Sequence, residues 1–186
     1  MNPSTASIVE AIEAAPTDLV VVLPDNKNII MAARQAATLS EKDVQVVETT
    51  SVPQGIAALL ALSQDQEFAD NIRAMNAALH GVRSGEVTRA VRDLRLGDVD
   101  IRAGNYMAIV DGDLVAAAGA IEEAVTRALS MMTGPDSALI ALYPGRDVDD
   151  ASASSLTAAV REAWPDHEVE VVRGNQPYYE YFISVE

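Results

Sequence analysis

Five consecutive apolar residues, Leu19-Val20-Val21-Val22-Leu23, are closed by Pro24-Asp25. A run of that length and β-branched content is the pattern of a strand buried on both faces of a parallel sheet. It is followed by an Ala-rich helical pattern from Ile29 to Leu39, a second short strand at Val44, Val46 and Val47, and Pro53 near the start of a helix carrying Ile56, Leu59 and Leu60. The order is β-α-β-α, and right-handed crossovers make the two strands parallel neighbours or near neighbours covered by those helices. Ahead of it, Ile8, Val9 and Ile12 lie at helical spacing between Ser4, an N-cap candidate behind Pro3, and the stop at Pro16.

Phe68, Ile72, Met75, Leu79 and Val82 form one apolar stripe, which predicts a single helix over residues 66–82. Beyond Gly81 and Gly85 the pattern shifts to shorter strands. Polar and apolar residues alternate from Val87 to Leu96, and Tyr106–Val110 meets Leu114–Ala116 across Asp111-Gly112, a type I′ hairpin signal. A helix over residues 119–132, a strand from Ala138 to Tyr143, a helix over residues 150–163 and strands at Val169–Val172 and Tyr179–Val185 complete the chain. The expected class is α/β: a Rossmann-like N-terminal lobe with a short parallel sheet over residues 1–83, and an α+β C-terminal lobe with a mixed sheet and two helices over residues 84–186.

With 28 acidic against 13 basic residues, the formal charge of −15 opposes nucleic-acid binding. The excess lies in residues 98–186, which carry 16 acids and 5 bases; a solvated face and a surface for a basic partner both account for it. The absence of cysteine removes thiolate catalysis, thiolate metal sites and disulfides, and it fits a cytoplasmic protein. No apolar run reaches the ~20 residues of a spanning helix, and Met1-Asn2-Pro3-Ser4-Thr5 lacks signal-peptide character, so a soluble, unexported chain is expected.

Two loops leave the C-terminal ends of the presumed parallel strands, the edge where open α/β sheets bind ligands. The first places Lys27 between Asn26 and Asn28 at a helix N-terminus, where free N–H groups favour an anion. The second offers Thr49, Thr50, Ser51, Gln54 and Gly55, the glycine permitting close approach to a helix start. Together they form a small polar recognition patch; alternatively, Asn28 and Ser51 are helix caps and Lys27 is solvated. Arg89, Arg92 and Asp93 alternate on the strand after the lobe boundary, as an exposed ion-pair strand or as a docking edge. Asp111 and Asp113 flank the hairpin glycine as turn residues, and His80 and His167 are isolated in sequence. No phosphate loop, dinucleotide fingerprint, zinc-protease motif or nucleophile elbow is present, so no catalytic residue or metal site is assigned.

Several ungapped blocks carry a resemblance: Asn2-Pro3-Ser4-Thr5, Leu23 to Ala33, Val52 to Ala58, Gly85 to Asp93, and Asn175-Gln176-Pro177 through Glu186. In these the chain resembles, over its whole length, the C-terminal domain of the YloV-like, dihydroxyacetone-kinase-related proteins, the FakA components of bacterial fatty acid kinases. It departs from the family pattern at Arg173-Gly174-Asn175, where a Gly-Gly pair usually precedes Gln-Pro. The resemblance implies a DegV-like fold and a docking role toward the second component of the kinase, a DegV-type protein that carries the fatty acid. It places ATP and magnesium on a separate N-terminal kinase domain and no cofactor in this chain, which is expected to be an excised or separately encoded domain. The alternative it leaves is a dihydroxyacetone kinase-like or phosphatase-like catalytic domain, with Asn26, Lys27 and Asn28 at a phosphate or carboxylate.

Overall fold

In the computed structural model, which describes residues 2–96 and 99–186, the valine-rich run becomes β1 (Leu19–Val22) and pairs in parallel with β2 (Asp43–Val46), Val20 opposite Val44. Three helices surround the pair in sequence: α1 (Thr5–Ala14), α2 (Ile30–Leu39) and α3 (Val52–Leu60). Strand alternation divides the packing. Val20 and Val22 face Ile8, Ile12, Ala33 and Ala36 of α1 and α2, while Val21 and Leu23 face Val47, Ala58 and Met75 on the other side. Val20–Val22 are half-buried, and Leu19 is exposed, because this sheet has two strands.

Ser4 caps α1 by accepting from the Ser7 N–H, and the residue before Pro16 leaves the helical region, as a residue preceding proline must. The far end is closed by Lys42, whose Nζ donates to the carbonyls of Ile12 (3.0 Å), Glu13 (3.1 Å) and Ala15 (2.6 Å). The expected helix over residues 66–82 is shorter: α4 spans Phe68–Ala78 and tightens into a 3₁₀ turn, Leu79–Gly81. Buried Asn71 accounts for the later start. Its side chain accepts from the Ser63 N–H and donates to the Ser63 and Gln66 carbonyls, holding the preceding loop out of the helix.

Contacts divide the chain into two units, one ending at Val82 and the other beginning at Arg83. The second is built on a six-stranded sheet in the order β7-β6-β3-β10-β8-β9: β3 (Arg83–Arg89), β6 (Tyr106–Val110), β7 (Asp113–Ala118), β8 (Leu139–Pro144), β9 (Glu168–Val171) and β10 (Tyr179–Val185). The β8–β9 pair is parallel and the other pairs antiparallel, so the sheet is mixed. Helices α5 (Ile121–Met132) and α6 (Asp150–Ala163) share one core with Val87, Ile140, Leu142, Tyr181, Ile183 and Val185. Asp111 (φ 51°) and Gly112 (φ 92°) make the β6–β7 turn with the positive φ angles a type I′ hairpin needs.

The alternating run Val87 to Leu96 is not one strand. Ala90 donates to the Asn105 carbonyl and accepts from the Gly104 N–H, ending β3; the chain then turns into β4 (Leu94–Leu96), paired with β5 (Val99–Ile101). At the departure from the family pattern, Asn175 has φ 55°. Asparagine is among the few residues that enter this region readily, which explains how it replaces a glycine there.

Candidate functional site

The loops following β1 and β2 lie side by side at the C-terminal end of the parallel pair. The Asp25 N–H donates to Thr49 Oγ1 at 2.9 Å, and Thr49 is fully buried. Asp25 itself has φ 53°, which swings its carboxylate over the first turn of α3. A Cβ on Gly55 would stand 2.2 Å from Asp25 Oδ1, so the glycine is needed to admit that carboxylate. Oδ1 is buried and has no hydrogen-bond partner among the described residues. Burial pushes the Asp25 carboxyl above its ordinary range, a rise the Thr49 hydroxyl partly offsets.

The rest of the patch is locally braced. Asn26 Oδ1 accepts from the Asn28 N–H at 2.9 Å, forming an Asx turn that leads to α2 and leaves Lys27 and Asn28 exposed. Asn28 does not cap α2; Ile29 occupies that position without a side-chain bond. Ser51 does cap α3, and Gln54 Oε1 reaches back to the Thr50 N–H (2.8 Å) and hydroxyl (2.9 Å), in the manner of a capping box. Of the side chains expected in this patch, Thr49 ties the two loops together and Gln54 braces the second loop, whereas Lys27 and Asn28 are exposed.

The trio in the second unit is not assembled as expected. Arg89 ends β3, pairs with Glu180 at 3.2 Å and lies over the Tyr106 ring, 4.6 Å from its centre. Arg92 and Asp93 lie in the turn between β3 and β4, not on a strand, because Ala90 ends the ladder. Asp93 accepts from the Ala103 N–H at 2.7 Å, a turn-closing contact. Asp111 is likewise engaged, by the Ser84 N–H and Arg83. His167 meets Ser137 at 2.8 Å, but the serine hydroxyl donates to the Gly134 carbonyl, so this pair is a loop clamp and not an activated nucleophile. Among the described residues no cluster of three or more potential metal ligands occurs.

Sequence reasoning missed Asp25 as a member of the patch. Its side chain is explained by Gly55, thirty positions away, and the faint local signal is an aspartate, tolerant of positive φ, placed directly after a strand-ending proline.

Two compact α/β units, the second with a mixed sheet, define a fold shared with DegV-type proteins and with dihydroxyacetone kinase. The DegV family protein Cg2579 from Corynebacterium glutamicum matches with a TM-score of 0.71 at 14% identity, over 99% of this chain and 82% of that one. The Streptococcus pneumoniae fatty acid kinase B3 protein loaded with linoleic acid matches with 0.67 at 13% identity, over 99% and 76%. The dihydroxyacetone kinase from C. freundii, in complex with AMP-PNP and Mg2+, matches with 0.58 at 14% identity, over 98% and 41%. The particular family follows from sequence: the chain belongs to the FakA-like fatty acid kinase family, C-terminal part, whose model matches residues 1–186. It is 40% identical over 186 residues to protein YloV of Bacillus subtilis and 41% identical to protein SH1689 of Staphylococcus haemolyticus. The match takes in the whole of this chain and 34% of the length of each relative. The resemblance read from the sequence blocks is therefore borne out. Among the described residues no helix is long and apolar enough to cross a membrane.

Proposed function

We propose that this chain is the partner-docking domain of a FakA-like fatty acid kinase. It binds the DegV-type protein that carries the fatty acid, so that the acyl carboxylate is phosphorylated by a separate kinase domain, which supplies ATP and magnesium. The observation that carries this reading is the Asp25 carboxylate over Gly55. A helix N-terminus open to a phosphate or carboxylate ligand requires free N–H groups and space. In this chain the space at the start of α3 holds the protein's own anion, and the cap positions are taken by Ser51 and Gln54. A small anionic ligand at the start of α3 would have to displace that carboxylate, which weighs against the kinase-like or phosphatase-like alternative at that helix end.

What the patch offers outward is Lys27 and Asn28, on a turn fixed by Asn26. An exposed cation on a braced turn suits contact with another protein surface, since little ordering entropy remains to be lost on binding. Family membership and the likeness to a linoleic acid-loaded B3 protein support the choice of partner. The test is titration calorimetry of the chain against a purified, fatty-acid-loaded DegV-type protein, with ATP titrated separately. The expected result is partner binding without ATP binding, weakened about tenfold, or ~1.4 kcal/mol, by Lys27→Ala with no change in unfolding. Failure to bind the partner, or micromolar ATP affinity, would overturn the reading.

A further inference from the structure

We propose that β9 is a second docking edge, one that takes an extended peptide segment with basic side chains on one face and an apolar and an acidic side chain on the other. β9 is the last strand of the six-stranded sheet. The Glu168 and Val172 N–H groups donate to the Ala138 and Leu142 carbonyls on the β8 side. By strand alternation, Val169 and Val171 turn their backbone groups away from β8. Arg161 donates to the Val169 carbonyl at 3.0 Å. The Val169 N–H, the Val171 N–H and the Val171 carbonyl then form a three-point ladder with no described partner, the arrangement that strand addition uses.

The two faces of this edge differ chemically. Val169 and Val171 lie opposite Ile140 and Leu142, whose side chains face the helices. On that side a groove of about 420 Å³ runs between α6 and β9, with Ala153 and Thr157 on the helix wall, Val171 on the strand wall, and Arg161 and Arg173 beside them. Val171 is 42% exposed, and Val172, 50% exposed, lies by alternation on the opposite face. Arg173 pairs at 3.7 Å with Asp150, itself almost fully exposed, so an incoming carboxylate would compete with a loose, solvent-screened ion pair. Arg161 and Arg173 are two of the five basic residues in the 98–186 segment, and with Asp150 as the one acidic residue of the lining the groove is a mixed polar and apolar strip with a small cationic excess on a strongly acidic half. The opposite face carries the exposed carboxylates of Glu168 and Glu170.

An added strand would therefore set lysines or arginines against Glu168 and Glu170, and an apolar residue and a carboxylate against Val171 and Arg173. Strands without this alternation meet like charge on one face, which confers selectivity on an edge that would otherwise be promiscuous.

The probe is the acetylated, amidated hexapeptide Lys-Thr-Lys-Val-Thr-Glu, whose lysines in parallel register meet Glu168 and Glu170 while its valine and glutamate meet Val171 and Arg173, with Lys-Lys-Thr-Thr-Glu-Val as a control of equal charge and composition. Equal charge matters, because any cationic peptide is attracted to a chain of net charge −15. The readout is amide shift perturbation and hydrogen exchange on the ¹⁵N-labelled chain. The expected result is saturable shifts centred on Val169 to Arg173, slowed exchange of the Val169 and Val171 amides, and binding of the control weaker by about tenfold. Val171→Pro, which removes an edge N–H at a position where proline is tolerated, and Arg173→Glu should each weaken binding by a similar factor. Shifts elsewhere, equal binding of the two peptides, or undiminished binding by Arg173→Glu would overturn the proposal.

Discussion

Replacing Gly55 by alanine tests whether the Asp25 carboxylate organises the strand-end patch. The added Cβ would stand 2.2 Å from Oδ1 and 2.8 Å from both Cγ and Oδ2, against ordinary contact at 3.4 Å or more, so the carboxylate must retreat by about 1.2 Å. Aspartate has a single carbon between backbone and carboxyl, and its backbone is held by the bond from its N–H to Thr49, so it retreats poorly. Overpacking of this kind costs about 1–3 kcal/mol, partly offset by the ~1 kcal/mol that alanine contributes over glycine within a helix. A net loss of up to about 2 kcal/mol is expected. All three nearest atoms belong to Asp25, so in an Asp25→Gly background the clash disappears and Gly55→Ala should become stabilising by up to ~1 kcal/mol. The coupling from the double-mutant cycle is then about 1–3 kcal/mol. Urea unfolding followed by far-UV circular dichroism measures it, with Trp164 fluorescence reporting on the second unit. Gly55→Ala equally costly in both backgrounds would refute the reasoning.

Three further outcomes follow from the same structure. Asp25→Asn keeps a residue that accepts positive φ and removes the desolvated charge, so it should raise stability at neutral pH. Because the folded carboxyl titrates above the ordinary 3.8, wild-type stability falls as pH rises from 3.8 through the raised folded value. The advantage of the asparagine variant should vanish below pH 3.8, and a constant difference across an acid titration would contradict this. Lys42→Met should cost about 1–2 kcal/mol in urea unfolding, since three carbonyls at the end of α1 lose their donor and the helix C-terminus its cation; a loss under ~0.3 kcal/mol would show that water replaces the ammonium. Deleting residues 177–186 removes β10, which lies between β3 and β8 and buries Tyr181, Ile183 and Val185; the second unit should lose cooperative unfolding, and a native-like melt would disprove the strand's central role.

Where local chemistry decides conformation, the chain was readable. Asp111-Gly112 makes a hairpin because its residues accept positive φ, and the Leu19–Leu23 run becomes a parallel strand because β-branched residues suit it. The reading failed where periodicity continued through a change of backbone. The apolar stripe runs on into Leu79 although the helix ends at Ala78, and alternation persists from Arg89 into Leu94 although a turn intervenes. In the candidate patch, Lys27, Asn28 and Gln54 were visible because loops at strand ends are rich in such side chains. Their division into bracing and outward-facing groups was not, since it depends on which hydrogen bonds close.

By itself, then, the sequence determined the succession of helices and strands outside the β4–β5 hairpin, the acidic balance and the family, all of which rest on residue identity and short-range spacing. The sheet order β7-β6-β3-β10-β8-β9, the carboxylate of Asp25 over Gly55 and the open edge of β9 were decided only in three dimensions. Each depends on backbone groups or side chains far apart in the chain satisfying one another, or failing to, and no local pattern records which partner a hydrogen-bonding group will meet.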